Sequence, residues 1–265
     1  MKKVVCFISI IILFILIFCY SKYIEPHLLK TYEYNLYTNI DSNFHGLKIV
    51  HISDIHYKDD AIINKLTNEV NNIKPDIIVF TGDLFHSNNI SSHAINKLYS
   101  MESKIGKYAV SSSLDLNKNY SDILKNIGFE LIDNKCVNLY YKSNDAINIC
   151  GISTLNDGIS IKDKISNLNN NGVYNILISH DSDIIDNIDY NNYNLVLTGS
   201  SNGGEIVLPI IGGIYTEKYN SKYTSKKYKF NNTDIFVSNG IGSHKYNMRF
   251  MNIPSINLYR LITKG

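Results

Sequence analysis

Leu47-Lys48-Ile49-Val50-His51-Ile52-Ser53-Asp54-Ile55-His56 and Asp76-Ile77-Ile78-Val79-Phe80-Thr81-Gly82-Asp83 are apolar runs of strand length, each ending in a short polar tip that carries an acid. Between them Ile62, Ile63, Leu66, Val70 and Ile73 recur at helical spacing, and Lys74-Pro75 ends that helix. Strand, helix, strand with polar tips is a βαβ unit, and the carboxyl ends of such strands are where open α/β sheets bind ligands.

The same grammar continues outward. A helix is expected around Ala94 to Met101, then a strand from Gly106 to Val110, the polar Ser111-Ser112-Ser113-Leu114-Asp115, and a helix through Asp122 to Ile127. Two short strands, around Leu131 to Tyr140 and Ile147 to Ile152, read as a hairpin. Tyr174 to Ser179 is a strand ending at His180, and Asn194 to Thr198 another, ending at Gly199-Ser200-Ser201-Asn202-Gly203-Gly204. The Gly-Gly pair is either a phosphate cradle or simply a tight turn. Ile206 to Leu261 is β-like, with turns at Gly212-Gly213, Asn231-Asn232 and Asn239-Gly240, and Thr31 to Ile40 reads as an outer strand. Five strand ends thus carry polar loops, expected on one edge of a sheet, with no internal repeat and no second core.

The chain has 265 residues, 44% of them apolar, which suffices for one sizeable α/β core. Its 26 basic against 24 acidic residues leave a net charge of +2, and no Lys/Arg block occurs, so a nucleic-acid partner is not expected. Lys2 and Lys3 precede Val4 to Tyr20, a nearly wholly apolar run of roughly 17 residues that just spans a bilayer core at about 1.5 Å per residue. The two lysines favour a cytoplasmic N-terminus, and no small-residue cleavage site follows the run. The expected organisation is an anchor over 1–22, a connector over 23–30 and one domain over 31–265. That places a single-pass protein in the cell membrane with its C-terminal domain outside the cytoplasm. Cys136 and Cys150 flank a turn at 143–145; a disulfide is open to them, but two buried free thiols are favoured.

Hydrolysis of a phosphoester needs a nucleophile made from water and a place for charge on the phosphoryl oxygens, which two metal ions about 3.5–4 Å apart supply. The motifs Asp54-Ile55-His56, Gly82-Asp83, the lone His180 after a strand, and Gly203-Gly204 with Leu208-Pro209 beyond resemble, in order and spacing, the calcineurin-like metallophosphoesterases, and in particular their membrane-associated bacterial subgroup. The resemblance runs from about Leu47 to Leu261. It implies a four-layer αββα sandwich and metal-dependent hydrolysis of a phosphoester or pyrophosphate. It makes Asp54 and His56 first-metal ligands, Asp83 the bridging carboxylate and His180 a second-metal ligand.

The same resemblance marks departures. Ser113 stands where the family has a metal-binding Asn, and Leu114 where it has the His that assists the leaving group, so no confident catalytic residue remains. Ser200 and Asn202 replace two His ligands, and Glu205 stands at the usual Gln position. The first ion would keep Asp54, His56 and Asp83, with Asn202 as a weak oxygen ligand, close to the usual complement of a catalytic ion. The second would keep Asp83 and His180 only, because neutral hydroxyls bind transition metals poorly. Asp115, Asp181 and Glu205 are candidate substitutes, best suited to Mg²⁺ or Ca²⁺. The expectation is one divalent ion at most (Mn, Fe, Zn or Mg), or none, and hydrolysis weakened or lost, leaving a binder of a phosphate-bearing small molecule or lipid head group. An active hydrolase using one metal or substitute carboxylates is the alternative. His51, His86, His93 and His244 match no ligand position and are read as structural or exposed.

Overall fold

A computed structural model describes residues 2–86, 90–116, 119–142, 144–166, 168, 171–214, 222–243 and 246–264. His244, and residues 215–221 of the tyrosine- and lysine-rich stretch that begins at Tyr215, lie outside the described residues. The strands in chain order are β1 (Lys30–Thr38), β2 (Lys48–Ile52), β3 (Ile77–Phe80), β4 (Gly106–Ala109), β5 (Glu130–Leu131), β6 (Lys135–Tyr140), β7 (Ala146–Ile152), β8 (Tyr174–Ser179), β9 (Leu195–Thr198), β10 (Val207–Leu208), β11 (Gly212–Gly213), β12 (Lys227–Phe230), β13 (Thr233–Val237) and β14 (Ser255–Thr263). The helices are α1 (Lys2–Cys19), α2 (Asp60–Ile73), α3 (Ser92–Tyr99), α4 (Tyr120–Asn126) and α5 (Ile161–Ser166).

Two six-stranded sheets form, in the orders β1-β14-β2-β3-β4-β5 and β12-β13-β9-β8-β7-β6, beside a small β10-β11 ribbon. β2 to β5 run parallel, as do β7, β8, β9 and β13. Because strand side chains alternate faces, each central strand feeds two cores. Ile49, Ile77, Val79, Ile176, Ile178, Leu195 and Leu197 pack between the sheets. Val50, Ile52, Ile78 and Phe80 face outward instead, onto Ile63, Leu66 and Val70 of α2 and onto α3 and α4. A third cluster joins Leu177, Val196 and Ile235 on the outer face of the second sheet to Ile184, Ile185 and Ile161. The layers are therefore helix, sheet, sheet, helix. Removing one of the fully buried isoleucines would cost about 2–5 kcal/mol, the price of lost transfer energy plus a cavity.

Local chemistry sets the boundaries. Asp59 caps α2 by accepting from Ala61 N at 2.8 Å, and Lys74 ends it in the left-handed conformation. Ser91 Oγ accepts from Ala94 N at 2.9 Å to open α3.

Three expectations change. The polar loops lie on the ends of two sheets, not one edge of one, because β8 and β9 belong to the second sheet while β2, β3 and β4 form the first. The run around Leu131 to Tyr140 divides: Glu130–Leu131 pairs with β4, whereas Lys135–Tyr140 pairs with β7. Cys136 and Cys150 are not free thiols but a disulfide, since the antiparallel register sets them directly opposite each other. α5 had no signal in the sequence.

The segment after α1 does not hang free. Glu25 is buried and accepts from Met251 N at 3.1 Å and Asn252 N at 2.5 Å. Arg249 N donates to Ser21 O at 2.9 Å, and Lys22 Nζ to Tyr246 O at 2.6 Å.

Candidate metal centre

The two sheets are tied together at the carboxyl ends of their parallel strands. His180 Nδ1 lies 2.7 Å from Thr81 O, Ser200 N donates to both oxygens of Asp54 at 3.2 Å, and Gly242 N donates to Asp54 O at 2.8 Å. Within the first sheet, Asp54 N donates to Gly82 O at 3.0 Å and His56 N to Asp83 O at 2.9 Å. The tips of β2 and β3 therefore run side by side, and their side chains converge.

Asp54, His56 and Asp83 are buried, and one ligand atom of each lies within 4.8 Å of the others. His56 Nε2 stands 3.5 Å from Asp83 Oδ2, and His180 Nε2 stands 3.6 Å from the same oxygen. With Nδ1–H donating to the Thr81 carbonyl, His180 turns its Nε2 toward the centre, as ligating histidines usually do, where a cation would take the place of a proton. Asp54, His56, Asp83, Ser200 and Asn202 all sit at positive φ (51°, 41°, 57°, 67° and 47°), a conformation that Asp, Asn and His tolerate better than most residues. Close approach matters at two glycines. A Cβ at Gly199 would strike Ser53 Oγ, and one at Gly240 would strike Asn202 Oδ1.

The electrostatics suit a cation. Burial, reinforced by Asp54 and Asp115 against the pull of His180, pushes Asp83 up to about 8. Burial likewise raises Asp54 and Asp115. His180 is lowered by burial, yet Asp83, Asp54 and Asp181 hold it up at about 10. Acids crowded in a dry place carry negative charge that protons or a divalent cation must balance. Asp83 Oδ1 is buried and has no hydrogen-bond partner among the described residues. The trio therefore fits one metal ion.

The other expected positions divide. Asn202 Oδ1 is buried against Gly240, next to Asp54, without a hydrogen-bond partner among the described residues. Ser200 is buried beside Asp54, to which its N–H donates. Ser113 and Leu114 are exposed, and it is Ser112 that turns inward. Ser112 Oγ donates to Asp115 Oδ2 at 2.8 Å, and the same oxygen accepts from Asp83 N at 3.0 Å. Asp115 Oδ1 remains buried without a hydrogen-bond partner among the described residues. Asp181 is turned to other work: it accepts from Thr154 Oγ1 at 2.9 Å and Leu155 N at 2.7 Å. Glu205 is buried, and its charge acts on Lys58 and Arg249. Gly204 packs on the backbone of Gly213, so this glycine serves close packing.

Sequence reasoning missed the support around these residues. Thr81 Oγ1 donates to Ser53 Oγ at 2.7 Å, Ser53 Oγ donates to Asp54, and buried His51 stands 2.9 Å from Thr81 Oγ1. Arg249, fully buried, donates to the carbonyls of Asn239 (2.7 Å), Asn252 (3.2 Å) and Gly242 (3.1 Å). One signal was available: Arg249 is one of two arginines in a chain that otherwise uses lysine, and arginine is the cation suited to burial. Exposed His86 and His93, which pairs with Asn64 at 3.2 Å, stay outside the cluster. A cleft beside His56 is lined by Ile55, Lys58, Ile62 and Gly242, and by Pro26 of the segment after α1.

The family model for calcineurin-like phosphoesterases matches residues 47–239. The uncharacterized metallophosphoesterase YkuE of Bacillus subtilis is 30% identical over 254 residues, covering 91% of this chain and 88% of YkuE. The UDP-2,3-diacylglucosamine pyrophosphatase LpxG of Chlamydia trachomatis is 25% identical, covering 94% of each chain. The uncharacterized metallophosphoesterase YkoQ of B. subtilis is 25% identical over 81% of this chain and 83% of its own. Converging strand-end acids and histidines, a family model spanning most of the domain and a relative alike over nearly its whole length lead to one conclusion: the chain belongs to the calcineurin-like phosphoesterase family.

Proposed function

We propose that this protein is a membrane-tethered member of the family that holds one divalent cation on Asp54, His56 and Asp83, binds a phosphate ester there, and hydrolyses it weakly or not at all. The observation that carries the reading is the contrast within one cluster. Three buried ligands converge within 4.8 Å, while the flanking positions hold Ser200, Asn202 and the outward-facing Ser113 and Leu114. A bound cation would act as a Lewis acid on a phosphoryl oxygen, but a single one lacks the clamp that two ions place on attacking and leaving oxygens. The chain's own groups do the positioning. Ser200 N–H and Ser53 Oγ orient the Asp54 carboxylate, and the Thr81 carbonyl fixes the tautomer of His180. Leu114 offers no proton to a leaving group.

Anchor over 1–22, connector over 23–30 and domain over 31–265 remain our organisation, in the cell membrane with the domain outside the cytoplasm. The Cys136–Cys150 disulfide supports that side, because such bonds persist in oxidising compartments. A tethered site beside a lysine-lined cleft meets phosphates borne by lipids. LpxG is named for cleaving an acylated sugar nucleotide pyrophosphate, and lipid-borne phosphoesters or pyrophosphates are the ligand class we assign. The second reading, an active two-ion hydrolase, is favoured by one observation: Asp115 Oδ1 is buried and lacks a partner in the loop beside Asp83, and its carboxylate feels the charge of His180. Calorimetric titration of chelator-treated full-length protein with Mn²⁺ separates them. One site per chain, lost in Asp83→Asn, is expected; two tight sites per chain would replace the first reading with the second.

A further inference from the structure

Among the described residues after α1, the tip of the β10-β11 ribbon carries the most exposed apolar side chains. Ile210 is fully exposed, and Ile211 and Ile214 are 72% and 53% exposed. Ile210 also has φ 73°, a conformation glycine adopts freely and β-branched residues rarely do. Both backbone and water thus disfavour an isoleucine at this tip, so its side chain answers to some other environment.

The position of the ribbon says which. Arg249 N is bonded to Ser21 O at the exit of the anchor, and Val207 N is bonded to Phe250 O at 2.9 Å. Ile206 and Phe250 form an isolated parallel bridge. The anchor exit, residues 249–250 and the root of the ribbon are therefore adjacent backbones, about 5 Å apart each. Along the same strip, Met251 is 58% and Tyr246 51% exposed. The reach from root to tip, about three residues or ~10 Å, matches the depth to which interfacial elements enter a leaflet. At its other end the ribbon packs against Gly204, two places beyond Asn202 of the metal centre.

We propose that the Ile210-Ile211 tip enters the bilayer beside the anchor, with lipid acyl chains as its occupant. Two attachments then fix the tilt of the domain, and the second is built on the loop that carries Asn202. A protein held by one flexible tether presents its cleft in any direction; one held at two points presents it at head-group height. This inference rests on the reading of α1 as a membrane anchor.

The chain contains no tryptophan, so a single introduced one reports alone. Three full-length variants are compared in phosphatidylcholine–phosphatidylglycerol vesicles: Phe14→Trp in the anchor, Ile211→Trp at the tip, and Tyr140→Trp. Tyr140 is 63% exposed at the end of the second sheet away from the metal centre. The expected result is blue-shifted emission at 14 and 211, quenched by lipids brominated along their acyl chains, with water-like, unquenched emission at 140. Water-like emission at 211 would overturn the proposal. So would a blue shift there without bromine quenching, which is the signature of burial against a second copy or a soluble partner. Absence of quenching at 14 would show that the anchor reading itself fails and would remove the proposal with it.

Discussion

The loops that end β2 and β3 and the loop that ends β9 share a backbone habit and differ in side chains. On one side Asp54, His56 and Asp83 take positive φ and point ligands inward; on the other Ser200 and Asn202 take positive φ and offer a hydroxyl and an amide. The loop after β9 keeps its shape without strong ligands because its contacts are of another kind. Ser200 N donates to Asp54, Asn252 Nδ2 donates to Asn202 O at 2.5 Å, and Gly199 and Gly240 leave room for close approach. Frame and chemistry are thus separable: one backbone habit carries strong ligands on one side and a hydroxyl and an amide on the other.

Placing stronger ligands on this frame tests the separation most severely. Ser113→Asn, Leu114→His, Ser200→His and Asn202→His, introduced together, are expected to raise turnover of an aryl phosphodiester by about 10²–10⁴-fold, the range a positioned acid or base contributes. Initial rates with saturating Mn²⁺ give the answer, and equal, robust turnover in parent and restored protein would mean that the departures carry no cost.

The bracing of the β9 side offers a smaller effect. Asn252 links Asn202 to Glu25 of the segment after α1, so Glu25→Ala strips the partner from two backbone N–H groups, the buried one of Asn252 and the part-buried one of Met251. A loss of about 1–3 kcal/mol in urea unfolding is expected, as for any pair of donors left unsatisfied. If stability is unchanged, the segment after α1 is no part of the frame.

The smallest effect concerns the ligand side alone. Asp83 and His180 both have folded values above their ordinary ones, about 8 and about 10, so the folded state binds protons more tightly than the unfolded chain. That contribution is full below the ordinary values and disappears as pH rises through the folded ones. In chelator, the melting temperature should therefore fall by a few degrees between about pH 6 and about pH 9, and saturating Mn²⁺ should abolish the slope by replacing the protons. A flat profile in chelator would show that the acids of this cluster are not crowded as described.

Much of the frame was legible in the chain because apolar periodicity is a strong signal. β2, β3, β8 and β9 fall where the alternation of Ile, Val and Leu with polar tips put them, and α2 runs to Lys74-Pro75 as read. What periodicity cannot reveal is partnership between distant strands. Glu130–Leu131 and Lys135–Tyr140 look like one extended run, yet they pair in different sheets. The disulfide depended on register, which a hairpin fixes only once its turn is known. In the loop after β4, nothing in Ser111-Ser112-Ser113 distinguishes three equal residues; backbone direction alone turns Ser112 toward Asp115 and Ser113 toward water. Arg249 and Glu25 lay outside every motif, and their roles come from buried carbonyls and N–H groups that only the folded chain assembles.

The docking of Ser21 and Glu25 on residues 249–252 makes the segment after α1 part of the wall of the domain it leads to. A break in the chain anywhere between Pro26 and Lys30 would separate Glu25 from the domain, leaving the N–H groups of Met251 and Asn252 without their acceptor and taking a counter-charge from Arg249. Trimming the chain before Lys30 is therefore not equivalent to cutting a leash: the domain left behind would lack part of its own wall.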